Sequence, residues 1–340
     1  MRIRLPVPRW HLTGRLLLTL GLGITTLSCA SPGTAAREES FSGFAREMAS
    51  KHGFQASEVE QTLAASRRQQ DIIDAISRPA ESMPWYRYRP IFLTESRIRE
   101  GVAFWNDNAL LLNEAADAYG VPVEVIVAIL GVETRYGSHK GGYRVIDALR
   151  TLAFDYPPRA PFFRSELEQY LLLAREEGFD PLAPKGSYAG AMGMPQFISS
   201  SYREYAVDFN GNGDRDLWSE TADAVGSVAN YFHRHGWEPG EPVAAPATVE
   251  GERWRKLTES PGLKPDRTAD QLRSLGVRWN GDGDSARAAR LLALEDEDGE
   301  EYWVTFNNFY VITRYNHSPL YAMAVHQLSR AIAREREEQG

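Results

Sequence analysis

The chain has 340 residues, a formal net charge of −8, 43% hydrophobic residues and 25% charged ones. That length suits two domains or one large elaborated one, and the composition is that of a globular protein able to fill a core. The acidic balance, without a Lys/Arg-rich tract, argues against a nucleic-acid partner.

The first 30 residues read as an export signal. Arg2, Arg4, Arg9 and Arg15 form a basic leader without acids, and "LLLTLGLGITTL" (16–27) is apolar but short for a bilayer span. Small residues follow in "SCASPGTAA", and losing the leader takes the charge from −8 to −12. Cys29 is the only cysteine, so an internal disulfide is excluded. It stands where the signal would be cut. One reading is lipidation of Cys29 and a membrane tether; the other is ordinary cleavage after Ala30.

Residues 31–40 read as a short tether. From 41 onward the apolar spacing is helical: "FSGFAREMASKHG", "ASEVEQTLAAS", "GVAFWNDNALLLNEAADAYG" and "PVEVIVAILGVETRYG". Gly120 is placed to cap the third helix, and Pro122 to open the fourth. Helices continue through "RSELEQYLLLAREEG" and "ETADAVGSVANYFHRHG". Between 241 and 318 the pattern changes to β-branched and aromatic runs, "EPVAAPATVEG", "ARLLALEDEDGEEYWVTFNN" and "FYVITRYN", with "EDEDGEE" as a solvated hairpin tip. An amphipathic helix, "LYAMAVHQLSRAIAREREE", closes the chain.

Within the most hydrophobic stretch, "VIVAILGVETRYGS" (125–138), one carboxylate stands out. On a helix Glu133 shares a face with Ile126, Ile129 and Leu130. Desolvation there, and a position near the negative helix end that Gly137 announces, both raise its pKa. Arg135 projects elsewhere. An acid kept protonated near neutral pH suits proton donation to a glycosidic oxygen, although a glutamate at a helix end is also commonly a solvated or arginine-paired surface group.

Five ordered motifs decide between these readings. "GVETRYG" (131–137), "KGSYAGAMGMPQF" (185–197), "DFNGNGDRDLW" (208–218), "GSVANYFHRHGW" (226–237) and "NFYVITRYNHSPLYAMAV" (308–325) together resemble the lytic murein transglycosylase B family, which cleaves the glycan strands of peptidoglycan. The resemblance covers most of residues 80–330. It implies a mainly α (α+β) fold with a goose-type-lysozyme-like catalytic core at 126–240. A flanking helical domain at 41–125 would be completed by a C-terminal helix at 319–340. A small β domain and a return segment to the active site would occupy 241–318.

Carried over by position, the resemblance makes Glu133 the catalytic acid and base. It puts Ser187, Gln196, Tyr231, Tyr315 and Asn316 in the cleft, and Tyr88 and Tyr321 along the sugar groove. Arg159, in "YPPRAPFF", matches a basic position facing the peptide or sugar part of the substrate. Amides can bond N-acetyl and hydroxyl groups, or instead satisfy buried backbone; tyrosine faces suit sugar rings, or an ordinary core edge. The sequence departs from its relatives at Met194 and Pro195, which reshapes the loop leading to Gln196.

Ordinary glycosidases use two carboxylates. Asp147, Asp155, Glu166 and Asp180 are better read as caps, turns or surface charges. The implied reaction needs no second acid. Glu133 protonates the oxygen bridging N-acetylmuramic acid and N-acetylglucosamine, then takes the proton of the muramoyl C6 hydroxyl as that oxygen attacks C1, leaving a 1,6-anhydro end. The rival readings are a hydrolytic muramidase and a wall-binding scaffold without turnover.

"DFNGNGDRD" also fits the opening of an EF-hand loop. Asp208, Asn210 and Asn212 fall at positions one, three and five, with Gly213 at six and Asp214 offering a carbonyl at seven. Asp216 falls at nine, and Ser219 occupies position twelve, where glutamate is usual. Relatives close such a site with a later aspartate, matched here by Asp223. The alternatives are a structural Ca²⁺ site within 208–223 and a metal-free Gly/Asn turn. The chemistry itself calls for no cofactor. The resemblance further implies peptidoglycan glycan strands as partner, with cell-wall synthesis or remodelling proteins as others. It implies a periplasmic location anchored to the outer membrane through Cys29, and no other membrane contact.

Overall fold

The computed structural model describes residues 32–77, 83–259, 261–281 and 284–339, with side chains from Ser40 onward. The leader and Cys29 lie outside the described residues.

Six helices come first: α1 (Pro32–His52), α2 (Ala56–Ala65), α3 (Gln70–Ile76), α4 (Trp85–Phe92), α5 (Glu95–Asp107) and α6 (Ala109–Tyr119). Two expectations need correction. The stretch read as a tether is the first turns of α1, since Pro32 suits a helix start and Ala35, Ala36, Arg37 and Glu38 are strong helix formers. The single helix expected over 101–120 is two, broken at Asn108, whose side-chain amide bonds the Phe104 carbonyl. Gly120 caps α6 in the left-handed conformation, as its position suggested.

The central helix α7 (Val123–Thr134) is buried over nearly its whole length. Around it run α8 (Val145–Asp155), a 3₁₀ turn (Pro157–Arg159), α9 (Ala160–Glu177), α10 (Ser199–Tyr205) and α11 (Thr221–Arg234). A two-stranded antiparallel ribbon, β1 (Tyr143–Arg144) with β2 (Lys185–Gly186), precedes the loop that holds Gln196. Such a helix, apolar all round, needs neighbours on every side.

The β region is a five-stranded antiparallel sheet in the order β4-β6-β7-β3-β5. Its strands are β3 (Ala244–Val249), β4 (Arg267–Thr268), β5 (Val277–Trp279), β6 (Ala288–Asp296) and β7 (Gly299–Thr305), with short helices α12 (Arg255–Thr258) and α13 (Ala269–Ser274) between them. β6 and β7 form the expected hairpin, pairing Asp296 with Gly299 across the acidic tip. Trp254, Leu272, Val277, Leu291 and Val304 give this region a small core of its own.

A third correction follows the sheet. "FYVITRYN", read as β-like, is the helix α14 (Asn307–Tyr315). Its buried residues Asn308, Phe309, Val311 and Ile312 recur at helical spacing, so burial of one face outweighs the strand preference of Val, Ile and Thr. The last helix, α15 (Pro319–Gln339), packs on α4, α5 and α7 and so joins the helical domain to the core.

Among the described residues no single helix is long and apolar enough to cross a membrane.

Candidate active site

Glu133 occupies the last turn of α7, and the backbone there ends abruptly. Arg135 and Tyr136 both adopt positive φ, 50° and 57°, without being glycine. The Tyr136 N–H bonds the Leu130 carbonyl and the Arg135 N–H that of Gly131, closing the helix before Gly137 is reached. Two such residues in succession cost of order 1–3 kcal/mol each, so their side chains must be held. They are. Arg135 pairs with Glu100 from α5 and so leaves Glu133 without a cationic partner. Tyr136 donates to the Arg97 carbonyl at 2.8 Å, and its ring lies where a Cβ on Gly131 would come within 2.7 Å.

Thr134 ties this helix end to the loop opposite. It is buried, and its hydroxyl donates to the Met194 carbonyl at 2.9 Å while accepting the Gly137 N–H at 3.0 Å. The next carbonyl, of Pro195, accepts the Tyr315 hydroxyl at 2.5 Å. Gln196 then turns with φ at 50°. Met194 and Pro195 are therefore two residues whose carbonyls fix this loop.

Tyr321, from the first turns of α15, donates its hydroxyl to Glu133 Oε1 at 2.5 Å. Tyr315 lies parallel to it, with ring centroids 6.4 Å apart and planes 10° from parallel. Tyr88 of α4 is close enough to Tyr321 to interact with it electrostatically, and packs on Trp85 and Phe92. Glu133 is half-buried as a residue, and its carboxyl is enclosed by the surrounding packing. Burial pushes its pKa up to about 7, and the Tyr321 hydrogen bond opposes part of that rise. Burial and the neighbouring Glu133 charge raise both tyrosines well above their ordinary value, so both remain proton donors.

The other sequence-chosen residues stand at increasing remove. Tyr231 is buried beneath Tyr315 at 4.8 Å, stacks on His235 at 4.0 Å, and donates to the Arg314 carbonyl. Its visible work is support. Gln196 gives its Nε2 to the carbonyls of Gly193 and Lys140, and its Oε1 has no partner among the described residues. Asn316 accepts the Ser318 N–H through Oδ1. Ser187 accepts the N–H groups of Ala189 and Ala191 and shapes the loop that runs on to Gln196. Arg159 is exposed and stacks over Phe162 and Phe163 at 4.5 and 5.2 Å.

The four other acids considered from the sequence each have a structural task. Asp147 binds Arg144 and the Arg67 N–H; Asp155 binds Arg150. Glu166 accepts the Ser200 N–H, and Asp180 the Leu182 N–H. Among the described residues no second carboxylate contacts Glu133, Tyr315 or Tyr321.

Sequence reasoning missed Thr134, Tyr136 and Glu100. A glycine inside a strongly apolar helix, Gly131, was the available signal of a close approach.

The acidic loop at 208–223 is a compact turn. Asp208 accepts the N–H groups of Gly211, Asn212 and Gly213. Asp223 is buried and accepts those of Phe209 and Asp216, and burial raises its pKa. Asn210 and Asn212 both turn their amides toward Glu220. Carboxylate oxygens of Asp214, Glu220 and Asp223 lie within 4.8 Å of one another. Glu220 was missed because it stands one residue beyond position twelve of the expected spacing. Asp214 enters by its carboxylate, where the sequence offered its carbonyl. His233 and His235 stand at the end of α11, each against a backbone carbonyl.

Comparison with known proteins agrees with this geometry. Residues 36–330 match the family model described as transglycosylase SLT domain. The chain is 43% identical over 300 residues to membrane-bound lytic murein transglycosylase B of Escherichia coli K12, covering 85% of this chain and 81% of that one. Soluble lytic transglycosylase SltB1 from Pseudomonas aeruginosa superposes with a TM-score of 0.83 at 49% identity, covering 88% of this chain and 99% of that one. The Escherichia coli lytic transglycosylase Slt35 in complex with calcium superposes with a TM-score of 0.78 at 43% identity, covering 87% and 93%.

Proposed function

Because the chain belongs to the transglycosylase SLT domain family and is a lytic murein transglycosylase, we propose that Glu133 is its single acid and base. In this reading Glu133, protonated below about pH 7, gives its proton to the oxygen between N-acetylmuramic acid and N-acetylglucosamine. The substrate's own N-acetyl oxygen stabilises the positive centre at C1. Glu133, now ionised and still bonded to Tyr321, takes the proton of the muramoyl C6 hydroxyl as it closes on C1. A pKa near 7 serves both halves.

The observation carrying this reading is a buried carboxyl, bonded to one tyrosine, with no second acid beside it among the described residues. Tyr88, Tyr315 and Tyr321 offer flat faces and polar tips for sugar rings, and Gln196 Oε1 and the Asn316 amide suit N-acetyl groups. Ser187 and Tyr231 shape and back that groove, and Arg159 extends it toward the peptide.

The loop at 208–223 fits a divalent cation, because three like charges converge and, among the described residues, none of the three makes a salt bridge. Asp208, Asn210, Asn212, Asp214, Glu220 and Asp223 would hold it, and Ca²⁺ suits an all-oxygen set. Its contribution would be structural. The Leu217 carbonyl in this loop accepts the Met194 N–H at 2.7 Å, so a rigid loop steadies the segment carrying Gln196. By analogy with the membrane-bound relative, export and lipid attachment at Cys29 complete the reading.

Digestion of purified sacculi tests it. The parent should release muropeptides ending in 1,6-anhydromuramic acid, lighter by one water than reducing ends, and Glu133→Gln should release none. Reducing ends instead would establish a hydrolase, and equal binding without product a scaffold.

A further inference from the structure

The β sheet meets the helical body through a carboxylate. Along β7 the side chains alternate between two sides. Tyr302 and Val304 pack into the sheet's own core, whereas Trp303, with Leu294 of β6, joins the main core. Glu301 stands two residues before Trp303 and opposite Leu294 in the hairpin, so it falls on the side of the helices. Its Oε1 accepts the indole N–H of Trp303 at 2.8 Å, and its Oε2 that of Trp85, the first residue of α4, at 3.0 Å.

Both donors need this acceptor. Trp85 is 1% exposed and Trp303 8%, and an indole has a single N–H to satisfy. A buried donor without an acceptor is costly, and a carboxylate holds such donors more strongly than a neutral group does. Among the described residues Glu301 makes no salt bridge, so neither oxygen is drawn to a cation instead.

The helix on the far side depends on such an anchor. α4 has eight residues, and Pro90 removes one of its internal hydrogen bonds. A helix this short has little stability of its own and takes its position from its neighbours, here α15 and β6. Trp85 and Tyr88 stand three residues apart on one face of it, with ring centroids 6.4 Å apart and planes inclined by 31°. Tyr88 in turn lies close to Tyr321, whose hydroxyl is bonded to Glu133. A continuous chain of contacts thus joins sheet to groove, from Glu301 to Trp85 to Tyr88.

We propose that Glu301 is a positioning residue for the glycan groove: by holding Trp85 it fixes α4 where Tyr88 presents its ring to the substrate sugar. The sheet then takes part in the reaction without touching the bond that breaks. This rests on the reading that Tyr88 lines the groove. Glu133 keeps its bond to Tyr321 whether or not Glu301 is present, so loss of the anchor weakens substrate binding and leaves proton transfer alone.

Steady-state digestion of soluble, uncrosslinked glycan strands by the whole chain tests it. Glu301→Ala should raise KM about fivefold or more and hold kcat within about twofold, with the alkaline limb of kcat/KM in its parent place. Glu301→Gln keeps one acceptor oxygen and should recover part of the lost affinity. Trp85→Phe keeps a ring and removes only the donor, so it should raise KM in the same way, and it carries the test if the alanine variant does not fold. Added to Tyr88→Ala, Glu301→Ala should change KM by less than about twofold, because the two residues act as one unit. A parent KM in both Glu301→Ala and Trp85→Phe overturns the proposal, as does a loss that repeats in full on the Tyr88→Ala background. A fall in kcat with a displaced alkaline limb overturns it as well, since Glu301 would then act on the acid. Tyr88→Ala by itself reads the groove assignment. If that variant keeps the parent KM, the reading of Tyr88 fails and the proposal with it; a raised KM there beside an unaltered one in Glu301→Ala sinks the proposal alone.

Discussion

The Tyr321 hydroxyl donates to the Glu133 carboxyl at 2.5 Å across 188 residues of sequence, so the last helix of the chain sets the proton affinity of an acid on the seventh. The bond favours the ionised form and opposes the burial that favours the neutral one. Removing it in Tyr321→Phe should raise the Glu133 pKa above about 7. A hydrogen bond to a charged group, at about 1.5–3 kcal/mol, corresponds to a shift of about one unit or more. The alkaline limb of the kcat/KM profile should move up by that amount, whatever happens to the maximal rate. A limb that stays in place would mean Tyr321 does not act on the acid.

Glu133→Gln should abolish turnover, a loss of at least about 10²–10⁴. It should also change stability in a pH-dependent way. The folded pKa, about 7, lies above the 4.5 of an ordinary glutamate, so the native state is penalised as pH rises from about 4.5 to 7 and no further above that. The glutamine variant escapes the penalty. Its melting temperature relative to the parent should therefore climb between pH 5 and 7 and level off beyond, which thermal scans at four or five pH values would establish.

Thr134→Val keeps the shape of the side chain but leaves the Met194 carbonyl and Gly137 N–H without their partner. A loss of about 1–3 kcal/mol in stability is expected. A fall in kcat of roughly tenfold or more should accompany it, because the loop positioning Gln196 slackens. Thr134→Ser should restore most of kcat. A variant that loses stability yet keeps the parent kcat would reduce Thr134 to a packing residue.

Gly131→Ala would set a methyl 2.7 Å from the Tyr136 ring, which cannot swing away because its hydroxyl is bonded to Arg97. Overpacking of this kind costs about 1–3 kcal/mol. Gly43→Ala, where nothing lies within 4 Å, should instead stabilise by about 0.4–1 kcal/mol. Chemical denaturation of the two variants gives the comparison.

Chelation should lower the melting temperature if the 208–223 loop holds a cation, and added Ca²⁺ should restore it in a concentration-dependent way. Glu220→Gln should weaken that response more than Ser219→Ala. A melting temperature indifferent to chelator and to Ca²⁺ would make the loop a metal-free turn.

The acid was legible from the sequence because a carboxylate in an aliphatic helix is rare enough to demand a reason. The family motifs located its tyrosine partners, and periodicity located most of the helices. What escaped were relationships made by tertiary contact. The strand-like "FYVITRYN" folds as α14 because burying Phe309 and Ile312 on one face outweighs the preference of single residues. Thr134 carries no sequence signal beyond standing next to Glu133, and only the approach of the 193–196 loop gives its hydroxyl a task. Glu220 was hidden by a one-residue shift in a spacing rule, although its charge was in plain sight.

The arrangement of Tyr88, Glu133 and Tyr321 has a bearing on when activity can begin. The acid lies in the middle of the polypeptide, while the hydroxyl bonded to it is contributed by α15, which emerges late in synthesis. A chain still being synthesised, or cut short before residue 321, holds its glutamate but not the enclosure that tunes it. A wall-degrading activity made this way switches on only in finished molecules.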